Sequence, residues 1–183
     1  MKNLCVNGEA ITNSYHETEP DRFSPNHAFD GTIVNSYSSH SYTGDNKPYI
    51  GYHFPKTVKI LKMYLIQGAT SSYGQYAKNL YVIYSDDGIN WVDAKYVTNL
   101  SGSYNSETGE FDIIYTIDLE EDYGVHEYWG LQLRENVSGG PSQYPWQVRE
   151  LEMHGNSLTK DLIKNKILNH ELIQKCVIPY EEE

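Results

Sequence analysis

Leu80-Tyr81-Val82-Ile83-Tyr84-Ser85-Asp86-Asp87-Gly88-Ile89-Asn90-Trp91 decides how this chain folds. The opening aromatic and β-branched run suits a half-buried pleated surface. Asp87-Gly88 and Asn90 then supply residues that accept positive φ in a tight hairpin. Trp91 is read as returning the chain to the core. A hairpin here implies antiparallel pairing, and the same alternation recurs on both sides of it.

Working outward, strands are expected at Tyr49 to Phe54, Val58 to Ile66, Leu80 to Tyr84, Trp91 to Tyr96, Phe111 to Leu119 and Tyr128 to Glu135. Gly, Asn, Ser and Pro clusters separate them at sandwich-like spacing. Lys59 to Ile66 and Tyr128 to Arg134 alternate enough to bury one face and leave the other wet. The pattern predicts an all-β, two-sheet antiparallel sandwich. Most of the 17 tyrosines fit it as structural residues, ring on the core and hydroxyl at the rim.

The 183 residues suffice for one domain plus an appendage, with a core that needs no staple. A net charge of -11, with no Lys/Arg cluster, repels phosphate backbones and anionic headgroups, so nucleic acid is an unsuitable partner. No apolar stretch is long enough for membrane insertion, and Met1-Lys2-Asn3-Leu4-Cys5 lacks the apolar core of a signal peptide. The expected location is a virion or cell surface if the chain belongs to an assembly, and the cytoplasm otherwise.

After Gly155 the composition changes. Ser157 to Lys175 has no Gly, Pro or aromatic residue and follows the capping candidates Asn156 and Ser157, which predicts a C-terminal α-helix. Leu158, Leu162, Leu168, Leu172 and Ile173 share one helical face and Ile163 and Ile167 the other. Such a helix either packs on its own domain or also meets a second chain. Residues 1–155 are therefore read as the sandwich, and 156–183 as a helix and acidic tail for docking or oligomerisation.

Three segments in fixed order extend the reading: His27-Ala28-Phe29-Asp30-Gly31, Tyr84 to Trp91, and Pro145-Trp146-Gln147-Val148-Arg149-Glu150-Leu151-Glu152-Met153-His154-Gly155. Together they resemble the discoidin or coagulation factor V/VIII type C domains, which include the family 32 carbohydrate-binding modules. The resemblance implies a jelly roll with ligand loops gathered at one end. It also implies a disulfide between the domain's ends. Cys5 stands where the first partner belongs, but Cys176 lies about twenty residues beyond the place of the second, so free thiols are the simpler reading.

The same resemblance implies a structural calcium where the Asp-Gly turn meets the last strand. Its ligands would be the His27 carbonyl, the Asp30 carboxylate, the Thr32 carbonyl, Asn35, the Arg149 carbonyl and the Glu150 carboxylate. The alternative is an ordinary Asp-Gly turn with Glu150 in a surface ion pair. Oxygen ligands disfavour zinc, and the seven histidines lack ligand spacing.

Loops rich in rings and neutral polar groups carry the second constellation. A sugar needs an aromatic platform beside planar donors and acceptors, and His40, Tyr42, Tyr73, Gln75 and Tyr144 offer both. Galactose-binding relatives place an Arg in the second loop that is missing here. A solvated loop or a protein-contact surface would have the same composition.

No nucleophile elbow, phosphate-cradling loop or metalloprotease motif is present, so no enzyme activity is expected. Two functions remain open. One is a non-catalytic carbohydrate-binding or adhesion module recognising cell-surface glycans. The other is a structural virion protein, in a phage tail or capsid decoration, whose sandwich and helix mediate assembly.

Overall fold

A computed structural model describes residues 2–39, 47–69, 75–135 and 145–157. Eleven strands alternate with two single turns of helix: β1 (Lys2–Asn3), β2 (Glu9–Thr12), α1 (Pro20–Phe23), a 3-10 turn (Pro25–Ala28), β3 (Tyr37–Ser38), β4 (Tyr49–Gln67), β5 (Leu80–Ser85), β6 (Val92–Val97), β7 (Tyr104–Asn105), β8 (Glu110–Phe111), β9 (Tyr115–Asp118), β10 (His126–Gln132) and β11 (Gln147–Ser157). Every pairing is antiparallel. The sequence-based expectation of an all-β jelly-roll sandwich holds for these residues.

The two expected strands at Tyr49 and Val58 are one continuous β4. Its first half lies between β2 and β10, continuing through β5 to β6. Its second half lies between β9 and β11, with β1 and β3 on the far side of β11. The corner between the halves is exposed Pro55-Lys56, where a residue without an N–H costs no ladder bond. One strand thus serves both layers.

Burial follows the alternation. Ile50, Tyr52 and Phe54 point inward from the first half of β4, then Val58, Ile60, Met63, Leu65 and Gln67 from the second. The phase slips at Leu61, where the pairing with β11 also shifts between His154 and Gly155. A Cβ on Gly155 would stand 1.9 Å from the Lys59 carbonyl oxygen, so the bulge closes only on glycine. Trp129, Trp146, Tyr37, Phe54, Met63 and Leu131 are among the fully buried side chains that fill the core.

The hairpin forms as expected, with Gly88 at φ +71°. Asn90 contributes differently: it is not at positive φ, and its side-chain amide donates to Asp87 Oδ2 at 2.7 Å. Trp91 is the main correction. It lies outside the core cluster, packing at 4.9 Å on Tyr49 and 6.4 Å on Tyr128, both on the outward side of the first sheet. His53 stacks on Tyr128 in the same layer at 4.3 Å, and Ile83 is wholly buried without joining the central core. Alternation assigns residues to sides, and here both sides carry aromatics.

Other boundaries also move. Phe111 to Leu119 divides into β8 and β9, with Ile113 and Ile114 exposed between them. Asn156 and Ser157, read as helix caps, instead extend β11 opposite Lys59 and Val58. The rest of the expected C-terminal helix, with Cys176, lies outside the described residues. Cys5 is buried with a free thiol, whose pKa burial pushes well above the usual range.

Several tyrosines fit the expected structural role, whereas Tyr49 and Tyr128 put their rings on the outward side of the first sheet and Tyr96 is exposed. Tyr37 is buried whole, and its hydroxyl donates to the Ser14 carbonyl at 2.9 Å. The Tyr52 hydroxyl accepts from Gly8 N–H at 3.0 Å, and that of Tyr115 from Ser101 N–H at 2.7 Å. Among the described residues, no helix is long and apolar enough to cross a membrane.

Candidate functional site

The six expected cation residues are brought into one neighbourhood. Ser24 caps the 3-10 turn by accepting from Asn26 N–H, so His27 and Ala28 lead directly into Asp30-Gly31. Gly31 adopts φ +76°, a left-handed conformation that glycine accepts without strain. Its N–H donates to Glu150 Oε2 at 3.1 Å, joining this loop to β11 across 119 positions of sequence. Asn35 follows Val34, whose carbonyl accepts from Arg149 at 3.1 Å.

Within that loop the Asp30 carboxylate is already engaged. Oδ1 accepts from Thr32 N–H and Oγ1–H, each at 2.9 Å, and Oδ2 lies 3.0 Å from His27 Nδ1. Burial alone would raise its pKa, but these hydrogen bonds outweigh that and leave it below the ordinary value. The His27 ring is spanned by Asp30 and the Asp21 carbonyl, the latter at 3.1 Å from Nε2.

Arg149 and Glu150 are 5% and 8% exposed, too buried for the surface ion pair that was the plain alternative for Glu150. Arg149 donates to the Gly68 and Val34 carbonyls and the Gln147 amide oxygen, and its guanidinium lies 4.7 Å over the Phe111 ring. Burial and the Arg22 charge lower its pKa to about 10. For Glu150, burial, together with the charges of Asp30 and Glu152, outweighs the Gly31 hydrogen bond and pushes the carboxyl up to about 7.

Among the described residues no cationic side chain pairs with Glu150. A buried carboxylate beside a second carboxylate favours an added positive charge, and its hard oxygen suits calcium. No group of three or more His, Cys, Asp or Glu among the described residues is arranged to hold a metal. The donor set fits calcium only if backbone carbonyls supply most of the ligands.

Of the expected sugar contacts, His40, Tyr42, Tyr73 and Tyr144 lie outside the described residues. Gln75, at φ +52°, offers its main chain: its carbonyl accepts from Gln147 N–H at 2.9 Å. Both flanks of 70–74 and one flank each of 40–46 and 136–144 are tied together. Ser39 N–H donates to the Trp146 carbonyl at 3.0 Å and Gly68 N–H to the Gln147 carbonyl at 2.9 Å. Trp146 N–H returns a bond to Ser39 Oγ at 2.9 Å.

Beneath these anchors sits a clamp that sequence reading missed. Gln67 looks like the first loop residue but is wholly buried. Its Oε1 accepts from Trp146 Nε1–H at 2.9 Å and Ala77 N–H at 3.0 Å, while Nε2 donates to the Ala77 and Ser101 carbonyls. The available signal was its phase, two residues beyond Leu65 on the inward side. Arg134 and Glu135, the end of the expected Tyr128 to Glu135 strand, lie just beyond β10 and are tied down by side chains: Arg134 clasps Asp93, and Glu135 accepts from Asn79 and the Tyr96 hydroxyl.

The fold is shared with solved carbohydrate-binding modules. The Clostridium perfringens module CpGH89CBM32-5, in complex with GalNAc-β-1,3-galactose, matches at 15% identity and TM-score 0.65 over 84% of this chain and 100% of its own. Chitosan-binding module 2 of a Paenibacillus sp. IK-5 chitosanase/glucanase, in complex with chitotriose, matches at 18% identity and TM-score 0.60 over 84% and 100%. An F5/8 type C domain from Bacteroides fragilis matches at 8% identity and TM-score 0.64 over 83% and 93%. No curated protein matches the chain.

The Paenibacillus module is derived from an enzyme, a chitosanase/glucanase. The F5/8 type C domain pattern itself matches residues 9–116, more than half of the sequence. This chain belongs to the F5/8 type C domain family.

Proposed function

We propose that the chain is a non-catalytic carbohydrate-binding module that attaches its parent protein or particle to surface glycans. The observation that carries this reading is the tying of Ser39, Gly68, Gln75, Trp146 and Gln147 by main-chain hydrogen bonds. Those bonds gather one flank each of 40–46 and 136–144 and both flanks of 70–74, stretches whose sequences offer His40, Tyr42, Tyr73 and Tyr144 as rings beside the Gln75 amide. The solved relatives bound to GalNAc-β-1,3-galactose and chitotriose support sugar as the ligand class.

A structural calcium belongs to the same reading. It would neutralise Glu150 and tie the 27–35 loop to β11 through carbonyls of His27, Thr32, Asn35 and Arg149. Its role is to hold the fold, with no part in chemistry. The Asp30 side chain, held by His27 and Thr32, would be released to the ion on binding.

A glycan array probed with the purified chain in calcium, and again with chelator, tests the proposal. Binding to a defined sugar that is lost in Tyr144→Ala or His40→Ala supports it. A folded chain that binds nothing refutes it. Deletion after Ser157, read out as oligomeric state, would then test the assembly role.

A further inference from the structure

The outward side of the first sheet carries a second hollow, built of different residues. It has a volume of about 580 Å3 and is lined by Lys47, Trp91, Val92, Asp93, Gln132 and Arg134. None of these takes part in the main-chain bonds that tie the loop ends. The volume lies within the roughly 300–1,000 Å3 of small-molecule sites.

Its walls are set before any ligand arrives. Trp91 is half-buried, and Tyr49 and Tyr128 hold its ring from behind. Arg134 is fixed on several sides: Nη1 donates to Asp93 Oδ2 at 2.7 Å, Nη2 donates to Asp93 Oδ1, Nε donates to Gln132 Oε1 at 2.7 Å, and the guanidinium lies 4.2 Å over the Tyr81 ring. The other end of the Gln132 amide donates to the Lys47 carbonyl at 3.3 Å. A planar cation and amide held beside an indole require little ordering when a ligand binds.

Charge selects among possible ligands. Among the described lining residues Asp93 balances Arg134, which leaves Lys47 as their net charge. Lys47 is exposed and has no ion pair among the described residues. The hollow therefore carries a local positive charge on a chain of net charge -11. We propose that it binds an acidic sugar, a hexuronic acid unit, with the C–H face of the ring on Trp91, the carboxylate at Lys47, and the hydroxyls at Gln132 and the Arg134–Asp93 pair. An indole face accepts apolar C–H groups, and an ammonium gives a charge-assisted bond to carboxylate. None of its lining residues is among those assigned to the loop surface, so the two readings are tested by different reporters.

The test is an NMR titration of the full 15N-labelled chain with trigalacturonate, and in parallel with neutral galactotriose, at low and at high salt. The acidic trimer is expected to shift the Trp91 indole N–H, the Gln132 side-chain amide and Arg134 Nε–H, and to bind more weakly at high salt. Lys47→Glu should weaken binding roughly tenfold, the worth of one charge-assisted hydrogen bond. Lys2→Glu, a charge reversal on exposed β1 of the other sheet, should leave affinity unchanged. Equal shifts with the neutral trimer overturn the assignment. So does the absence of shifts at the three reporters in a chain whose other amides are native, or shifts confined to Ser39, Gly68, Gln75 and Trp146, which would support the loop surface instead.

Discussion

Replacing Glu150 by Gln should make the calcium-free domain more stable at neutral pH. The Glu150 carboxyl is pushed from 4.5 to about 7 by burial and by the neighbouring Asp30 and Glu152 charges. Because the folded state holds this proton more tightly than the unfolded state, the carboxylate causes no loss below about pH 4.5 and its full loss above about pH 7. A shift of that size corresponds to about 3 kcal/mol, or roughly 10 °C in Tm for a domain of this length.

Glu150→Gln keeps an oxygen for the Gly31 N–H and removes the charge. The assay is thermal unfolding of wild type and variant from pH 4.5 to 8 in chelator, then in millimolar calcium. In chelator the variant's advantage should grow as pH rises. In calcium the wild type should recover and the variant should not respond. A difference that stays flat with pH, or wild type more stable than the variant at pH 8 in chelator, would refute the account of Glu150 as an uncompensated buried charge.

Trp146→Phe removes the indole donor to Gln67 and should cost about 1–3 kcal/mol in urea unfolding, toward the lower end because Ala77 N–H still satisfies the oxygen. Gly155→Ala drives a methyl into the Lys59 carbonyl and should cost about 1–3 kcal/mol by the same assay as the bulge is overpacked. Asp87 accepts from Asn90 N–H and side-chain amide, Ile89 N–H and Ser85 Oγ–H, bonds that hold its pKa well below the usual carboxylate range. Its contribution is therefore present above about pH 4 and lost as pH falls through the depressed value. Asp87→Ala should abolish that part of the acid dependence, read as the difference in Tm between wild type and variant from pH 2 to 5.

What the sequence disclosed follows the range of the forces involved. The β5–β6 hairpin was legible because Ser85, Asp87, Gly88 and Asn90 bond to one another within a few residues. The loop-to-β11 junction was legible only through family resemblance, since Gly31 and Glu150 lie 119 positions apart in sequence. Strands β1, β2 and β3 were missed because a two- to four-residue edge strand exists through its partner and leaves no period of its own. Trp91 was assigned to the wrong side because an aromatic in register does not say which face is covered by the second sheet. Gln67 was mistaken for a loop residue because amide side chains are usually wet, and only its donors Trp146 and Ala77 make burial possible.

The ties between Ser39, Trp146, Gly68, Gln147 and Gln75 run largely through main-chain atoms, which every residue but proline possesses in full. The frame therefore fixes both flanks of 70–74 and one flank each of 40–46 and 136–144, with little demand on the side chains at those flanks. Under the proposed glycan reading, replacing 70–74, whose two flanks are both held, by a stretch of matching span should change the sugar preference while the frame keeps its bonds.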